Sequence, residues 1–331
     1  MKRTIIIAEA GVNHNGKIDI AKRLILKAKN IGADYIKFQL YEPDEISTKK
    51  AEKALYQKKY SHKEETQYGL LKRLHLNNDE MFKLYKYAKK KRIGFLLSVF
   101  DVKSLEFLEK IKLDYLKIPS GEINNLPFLI SVRKLQKNII LSTGMANLKE
   151  IKTAYKLLKN KKKKFIILHC NSAYPTPDID ANLGLITVLK KKFKTTIGYS
   201  DHTQGIEAAI CAVTLGASVI EKHFTLNKKM KGPDHTSSLN PYEFERMVLS
   251  IRKIEKFFSK KKYFITRSEM KNIPIVRKSI VASKDISKEE KFSIKNLTTK
   301  RPGTGISPMK WFKVLNKKAR RKFLKDQLIS L

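Results

Sequence analysis

The tripeptide Asp201-His202-Thr203 and the stretch Glu221-Lys222-His223-Phe224-Thr225 each place an imidazole just beyond a short apolar, β-branched run. Two histidines delivered by neighbouring strand ends can hold one divalent ion with positions left open for water and substrate, as Mn²⁺ or Zn²⁺ does in catalytic sites. Asp201 and Glu221 are placed to orient the two rings; the competing assignment is a pair of ordinary hydrogen-bonded histidines. Lys37 and Lys117 sit inside apolar runs, Ile-Lys-Phe-Gln and Leu-Lys-Ile-Pro. Burying an ammonium is expensive unless a negative charge meets it, which points to an anionic ligand or else to a local carboxylate. Ser120, Ser142 and Ser200, with Gly121 and Gly144 nearby, add hydroxyls and backbone amides suited to phosphate or carboxylate oxygens. His14 either shapes its Asn-His-Asn-Gly turn or touches ligand, while His62 and His75 are expected at the surface. Cys170 beside His169 is a weak metal signal, because adjacent strand residues face opposite ways.

Eight strand-like runs can position these groups: 4–8, 35–39, 94–98, 115–118, 138–142, 165–170, 195–199 and 218–221. Amphipathic helical stretches separate them, such as 18–30 with Ile20, Leu24 and Ala28 on one face, and 79–91 behind Asn77 and Asn78 as caps. Eight such alternations predict an α/β (β/α)₈ TIM barrel over residues 1–258, with a doubly wound sheet as the alternative. The site then lies at the C-terminal ends of the strands. The ring of polar residues there is Glu9, Lys37 with Gln39, Ser98, Lys117 with Ser120 and Glu122, Ser142, His169 with Asn171, Ser200 with His202, and Glu221 with His223. Residues 259–274 lose periodicity and are expected to be a linker. Residues 275–331 contain short β-like pieces and turns at Gly303 and Gly305, a small β-rich domain expected to dock on a barrel, its own or a partner's.

With 331 residues, 42 % of them hydrophobic, the chain can bury a large core. The net charge of +39 suggests a polyanion partner. However, the lysines are spread over helix faces and turns, without the arginine forks and interleaved aromatics of nucleic-acid sites, so no specific nucleic-acid partner is expected. The runs at 161–164 and 190–192 fall just before strands, at the end opposite the site. The two cysteines, Cys170 and Cys211, cannot build a disulfide framework and are expected to fill core space. No apolar stretch has membrane-spanning length and no signal-type segment precedes residue 4, so a cytoplasmic protein without a membrane partner is expected.

Beyond these features the chain resembles the bacterial sialic acid synthases, which include the N-acetylneuraminate and N,N'-diacetyllegionaminate synthases. The likeness is carried by Ile-Ala-Glu-Ala-Gly-Val-Asn-His-Asn-Gly at 7–16, Lys-Phe-Gln at 37–39, Lys-Ile-Pro-Ser-Gly-Glu at 117–122 and Tyr-Pro-Thr-Pro at 174–177. It continues through Gly-Tyr-Ser-Asp-His-Thr at 198–203, Glu-Lys-His-Phe-Thr at 221–225, Gly-Pro-Asp-His at 232–235, Arg-Lys-Ser-Ile-Val-Ala at 277–282 and Arg-Pro-Gly-Thr-Gly-Ile-Ser-Pro at 301–308.

The resemblance implies a TIM barrel followed by a SAF (β-clip, antifreeze-like) domain that caps the partner's site in a domain-swapped homodimer. It implies condensation of phosphoenolpyruvate with N-acetylmannosamine and water, giving N-acetylneuraminate and phosphate by C–O cleavage. The same chemistry on 2,4-diacetamido-2,4,6-trideoxymannose, giving N,N'-diacetyllegionaminate, is the alternative. The divalent metal implied is Mn²⁺, with Mg²⁺ or Co²⁺ as substitutes, held by His202 and His223. Lys37, Ser98, Lys117, Ser120 and Ser200 would hold phosphoenolpyruvate. Glu122 or Glu9 would be the general base; Gln39, Tyr174 and Asp234 would contact the sugar, and Arg301 of the partner subunit its N-acyl end. Some positions depart from the family pattern: Ser98 stands for a usual Thr, Val99 for Pro, Leu40 for Thr and Ser172 for Asn. Glu289 and Asn316 occupy tail positions that are usually Gly. The segment 41–78, a loop after the second strand, is expected to reach the sugar. A basic barrel that binds polyanions without catalysis is the remote competitor. An ice-binding role for the tail is disfavoured by its lack of a flat repetitive face.

Overall fold

Near-continuous apolar runs, buried on both faces, build the strands. In the computed structural model, which describes residues 3–60, 65–258 and 263–331, they are β1 (Ile5–Gly11), β2 (Tyr35–Leu40), β3 (Gly94–Val99), β4 (Leu116–Ile118), β5 (Ile139–Ser142), β6 (Phe165–Cys170), β7 (Thr196–Asp201) and β8 (Val219–His223). All neighbours pair in parallel and β8 closes onto β1, so the sheet is the expected TIM barrel. β1, β7 and β8 each run two or three residues past the expected end, because the ladder continues under polar side chains that do not look like strand.

Outward residues such as Ile6, Ala8, Ile36, Phe38 and Leu97 pack against the surrounding helices. Inward residues Ile7, Leu96, Tyr115, Ile140, Leu168 and Val219 fill the barrel interior. Two positions further along each strand the inward residue becomes polar: Glu9, Ser98, Lys117, Ser142, Cys170 and Glu221. One apolar layer thus forms the floor on which the polar ring stands.

The helix Ile18–Asn30 buries Ala21, Leu24, Ile25 and Ala28. The helix Asn78–Lys90 starts at Asn77, whose side chain accepts from Glu80 N at 3.0 Å while Glu80 returns a 3.0 Å bond to Asn77 N. The segment between β2 and this helix is more than a loop: it holds the helices Pro43–Ile46, Leu55–Tyr60 and Gln67–Leu74.

The chain divides into two compact units, Met1–Lys260 and Lys261–Leu331. His62 and residues 259–262, the lysine-rich start of the expected linker, lie outside the described residues. In the second unit β9 (Ser279–Ala282) pairs antiparallel with β10 (Leu297–Lys300) over a core that includes Ile280, Ile286, Phe292, Val314 and Phe323. Glu289 and Asn316 have φ of 67° and 65°, the left-handed conformation that glycine adopts without strain. Gly303 and Gly305 serve close approach instead: a Cβ would come within 2.7 Å of Ile273 O at the first and 2.8 Å of Leu328 Cδ2 at the second.

Candidate active site

Strand register assembles the site before any side chain reaches out. Glu9 of β1 lies beside Lys37 of β2 on one flank and His223 of β8 on the other. Gln39 is level with Ser98, Ser98 with Lys117, and Cys170 with Ser200, which is level with Glu221. Together they line a cavity of about 320 Å³ at the C-terminal end of the barrel, which also takes in Ser120, Ser142, Tyr174, His202 and Asp234. Gly11 has φ +49° on a bulge in β1, and a Cβ there would lie 3.3 Å from Glu9 Oε1, 3.4 Å from Asp234 Oδ2 and 3.5 Å from Gln39 Nε2. Three polar side chains therefore converge over a bare backbone position.

Four charges stand at the base. Lys37 Nζ is 2.7 Å from Glu9 Oε2 and donates to Ser98 Oγ at 2.7 Å; Lys117 Nζ is 3.3 Å from Glu221 Oε1, which also accepts from Ser200 Oγ at 2.9 Å. The countercharges for the two lysines thus come from the protein, through Glu9 and Glu221, and an anionic ligand is not needed to explain them. Burial drives the Glu9 pKa up, although Lys37 opposes it. Burial would also raise Glu221, but Lys117 and Lys37 outweigh it and push it down to about 2. Burial disfavours both ammoniums; Lys37 ends above its ordinary value through Glu221 and Glu9, whereas Lys117, farther from its partner and repelled by Lys37, ends below.

His202 Nδ1 is 2.6 Å from Asn171 O, and because a carbonyl only accepts, this nitrogen carries a proton, so that Nε2 is the lone-pair nitrogen of the neutral ring. The His202 and His223 rings are 5.3 Å apart, and Tyr174 packs on both, at 4.2 and 5.6 Å. His223 Nδ1 is buried without a hydrogen-bond partner, 3.9 Å from Asp234 Oδ2. Burial and the neighbouring His202 hold His223 well below the ordinary imidazole pKa, so it is neutral. Burial, with Glu9 adding repulsion, pushes Asp234 up to about 7. Two neutral-capable imidazoles, one with an unsatisfied nitrogen, fit a divalent ion, although among the described residues no group of three His, Cys, Asp or Glu forms a complete ligand set.

On the opposite wall Gly144 N donates to Ser120 Oγ at 3.0 Å, while Ser142 Oγ is buried without a partner. A Cβ on Gly144 would collide with the hydroxyls of Ser172 and Ser120, so glycine keeps this hydroxyl pocket open.

Several expectations need correction. Glu122 is half-buried outside the cavity lining, its carboxylate held by Asn125 Nδ2 at 2.7 Å. Arg301 is not among these: it belongs to the second unit, as expected, where it is exposed and donates to Val276 O at 3.0 Å. Asp201 bonds Lys222 and Thr203, and Glu221 bonds Lys117 and Ser200, so neither carboxylate has a hydrogen bond to a histidine ring. His169 points away from the cavity and bonds Ala181 O at 2.8 Å. For His14 the first of the two expected roles holds, since it shapes its turn by accepting from Gly16 N at 3.1 Å. His75 is half-buried against Tyr41, and Cys211 is exposed rather than in the core.

The cavity also includes Ile46, Tyr56, Gln57, Gln67 and Leu71 from the helical segment after β2, with Phe100, Met145 and Cys170. Tyr56 packs on Tyr174 at 4.9 Å. Nothing in their spacing marks these residues. Glu221 as a lysine partner, by contrast, was readable: it lies two residues before His223 and so on the same face.

A family model described as the NeuB family matches residues 24–263, and a SAF domain model matches residues 277–331. The N,N'-diacetyllegionaminic acid synthase of Campylobacter jejuni is 49% identical over 99% of both chains. That of Legionella pneumophila is 41% identical over 92% of this chain and 86% of its own. The N-acetylneuraminic acid synthetase structure from Leptospira borgpetersenii is 36% identical and aligns with a TM-score of 0.72 over 82% of this chain and 90% of that one. A closed (β/α)₈ barrel with this cavity, a SAF domain and full-length relatives that are synthases together place the chain in the NeuB family of sialic and legionaminic acid synthases, as an enzyme.

Proposed function

We propose that the enzyme condenses phosphoenolpyruvate with 2,4-diacetamido-2,4,6-trideoxymannose and water, giving N,N'-diacetyllegionaminate and phosphate by C–O cleavage. The observation that carries this choice is the 49% identity, end to end, to a relative of that name. The cavity wall supports it, since Ile46, Leu71, Phe100 and Met145 offer apolar surface to an acceptor with a methyl at C6. N-acetylmannosamine, placed first on sequence grounds, is the second reading, favoured by the amides of Gln39, Gln57 and Gln67 on the same wall.

Lys37 and Lys117, with the hydroxyls of Ser98, Ser120 and Ser200, are the groups for the carboxylate and phosphate of phosphoenolpyruvate. Because Glu9 and Glu221 already neutralise the lysines, a ligand with about three negative charges calls for further positive charge or proton uptake. Asp234, whose pKa is raised to about 7, can take up a proton as it binds. Of the two candidate bases Glu9 lines the cavity and Glu122 does not, so Glu9 is the one that would accept the proton of the water adding at C2. Gln39, Tyr174 and Asp234 would orient the sugar. His202 and His223 would hold a divalent ion, Mn²⁺ with Mg²⁺ or Co²⁺ as substitutes, which supplies Lewis acidity toward the open-chain aldehyde when bound.

The assignment extends to a catalytic barrel at 1–258, a linker at 259–274 and a SAF domain at 275–331 in a domain-swapped, cytoplasmic homodimer, with Arg301 of the partner subunit at the N-acyl group. No helix among the described residues is long and apolar enough to cross a membrane. A coupled phosphate assay with phosphoenolpyruvate, Mn²⁺ and each sugar tests the choice. Faster turnover of the diacetamido sugar is expected; a preference for N-acetylmannosamine selects the second reading, and no release with either contradicts both.

A further inference from the structure

Lys222 breaks the pattern of its strand. Its neighbours Glu221 and His223 line the cavity, whereas Lys222 does not, yet it is 1% exposed and its partner Asp201 is 0% exposed. Lys222 Nζ donates to Asp201 Oδ2 at 2.7 Å and to Thr203 O at 2.6 Å. Asp201 Oδ1 in turn accepts from Thr203 N at 2.9 Å and Thr203 Oγ1 at 2.8 Å. These four bonds close a ring through the residues on either side of His202, whose carbonyl is fixed separately by Thr176 N at 2.8 Å.

The ladder between β7 and β8 ends at the rung Asp201 to Lys222, one residue before each cavity histidine. Beyond that rung no backbone pairing between the two strands sets the spacing of His202 and His223, and the Lys222 ammonium bridges the gap by gripping the carbonyl of Thr203. A buried ion pair adds little stability over apolar residues of the same size, so stability alone does not account for one here. Two of its bonds reach the backbone of Thr203, next to His202, and one of these comes from Lys222, the residue next to His223.

We infer that Lys222 and Asp201 are positioning residues that set the separation of the His202 and His223 rings for a shared divalent ion. The inference rests on the proposal that these histidines hold one ion. Its test is calorimetric titration of the metal-free, full-length protein with MnCl₂, alongside its melting temperature. The paired variant Asp201→Asn/Lys222→Met removes both charges at similar volume, and Thr203→Val removes one hydroxyl bond. In the paired variant the fold is kept and the Kd for Mn²⁺ is expected to rise roughly tenfold, as for other groups that support metal ligands. A rise under threefold, with or without a change in melting temperature, overturns the inference. Should the paired variant not fold, Thr203→Val decides by the same threefold limit. Wild-type protein that does not bind Mn²⁺ also overturns it. Wild-type protein that binds Mn²⁺ but releases no phosphate contradicts only the proposed reaction.

Discussion

Lys37 and Glu9 form a buried ion pair across the first two strands, 2.7 Å apart and each about 3% exposed, at the foot of the cavity. Replacing Lys37 with Met removes a charged hydrogen-bond donor worth about 3 kcal/mol. The KM for phosphoenolpyruvate is therefore expected to rise about 100-fold by steady-state kinetics, since about 1.4 kcal/mol corresponds to a factor of ten. An unchanged KM would remove Lys37 from the binding site.

Tyr56 reaches the cavity from the segment after β2 and packs on Tyr174. Loss of an aromatic pair is worth about 1 kcal/mol. Tyr56→Ala should therefore raise the KM for the sugar about fivefold and leave that for phosphoenolpyruvate unchanged. A shift in both constants would place Tyr56 outside the acceptor end.

Metal binding should stabilise the fold. With Mn²⁺ at about 100 times its Kd, the gain is about 2.7 kcal/mol, visible as a higher melting temperature. His223→Ala should abolish the shift, and a shift that survives the substitution would put the ion elsewhere.

The fold should weaken in acid partly through two buried histidines. Burial lowers the pKa of His14 to about 3 and that of His235 to about 4. The unfolded chain therefore binds more protons below pH 6.5, so this stability is complete above the unfolded pKa and is lost as pH falls toward the folded values. His14→Asn keeps an acceptor for Gly16 N without the titration. Its melting temperature should fall less steeply between pH 6.5 and 4 than that of the parent, and an identical slope would show that His14 is not buried neutral.

Much of this was legible in the chain because barrel strands obey a two-residue period. Ile7 and Glu9, Leu96 and Ser98, or Val219 and Glu221 announce both the apolar floor and the polar ring above it. What period two cannot encode is the partner of a long side chain. The apolar runs around Lys37 and Lys117 leave an anionic ligand and a local carboxylate both open as partners, and the fold supplies Glu9 and Glu221. Asp201 looked like a ring-orienting carboxylate until Lys222, from the next strand, was found to hold it. Glu122 shares a motif with Ser120 but turns out of the cavity with the short helical turn that follows β4. Tyr56 and Leu71 arrive on helices whose route over the barrel mouth depends on packing between segments far apart in sequence.

The direct measurement is the fate of the bridging oxygen. With phosphoenolpyruvate carrying ¹⁸O between C2 and phosphorus, together with Mn²⁺ and the diacetamido sugar, mass spectrometry should find the label in released phosphate and a nine-carbon 2-keto acid without it. Label retained in the organic product, or phosphate released without a nine-carbon acid, would contradict the assignment.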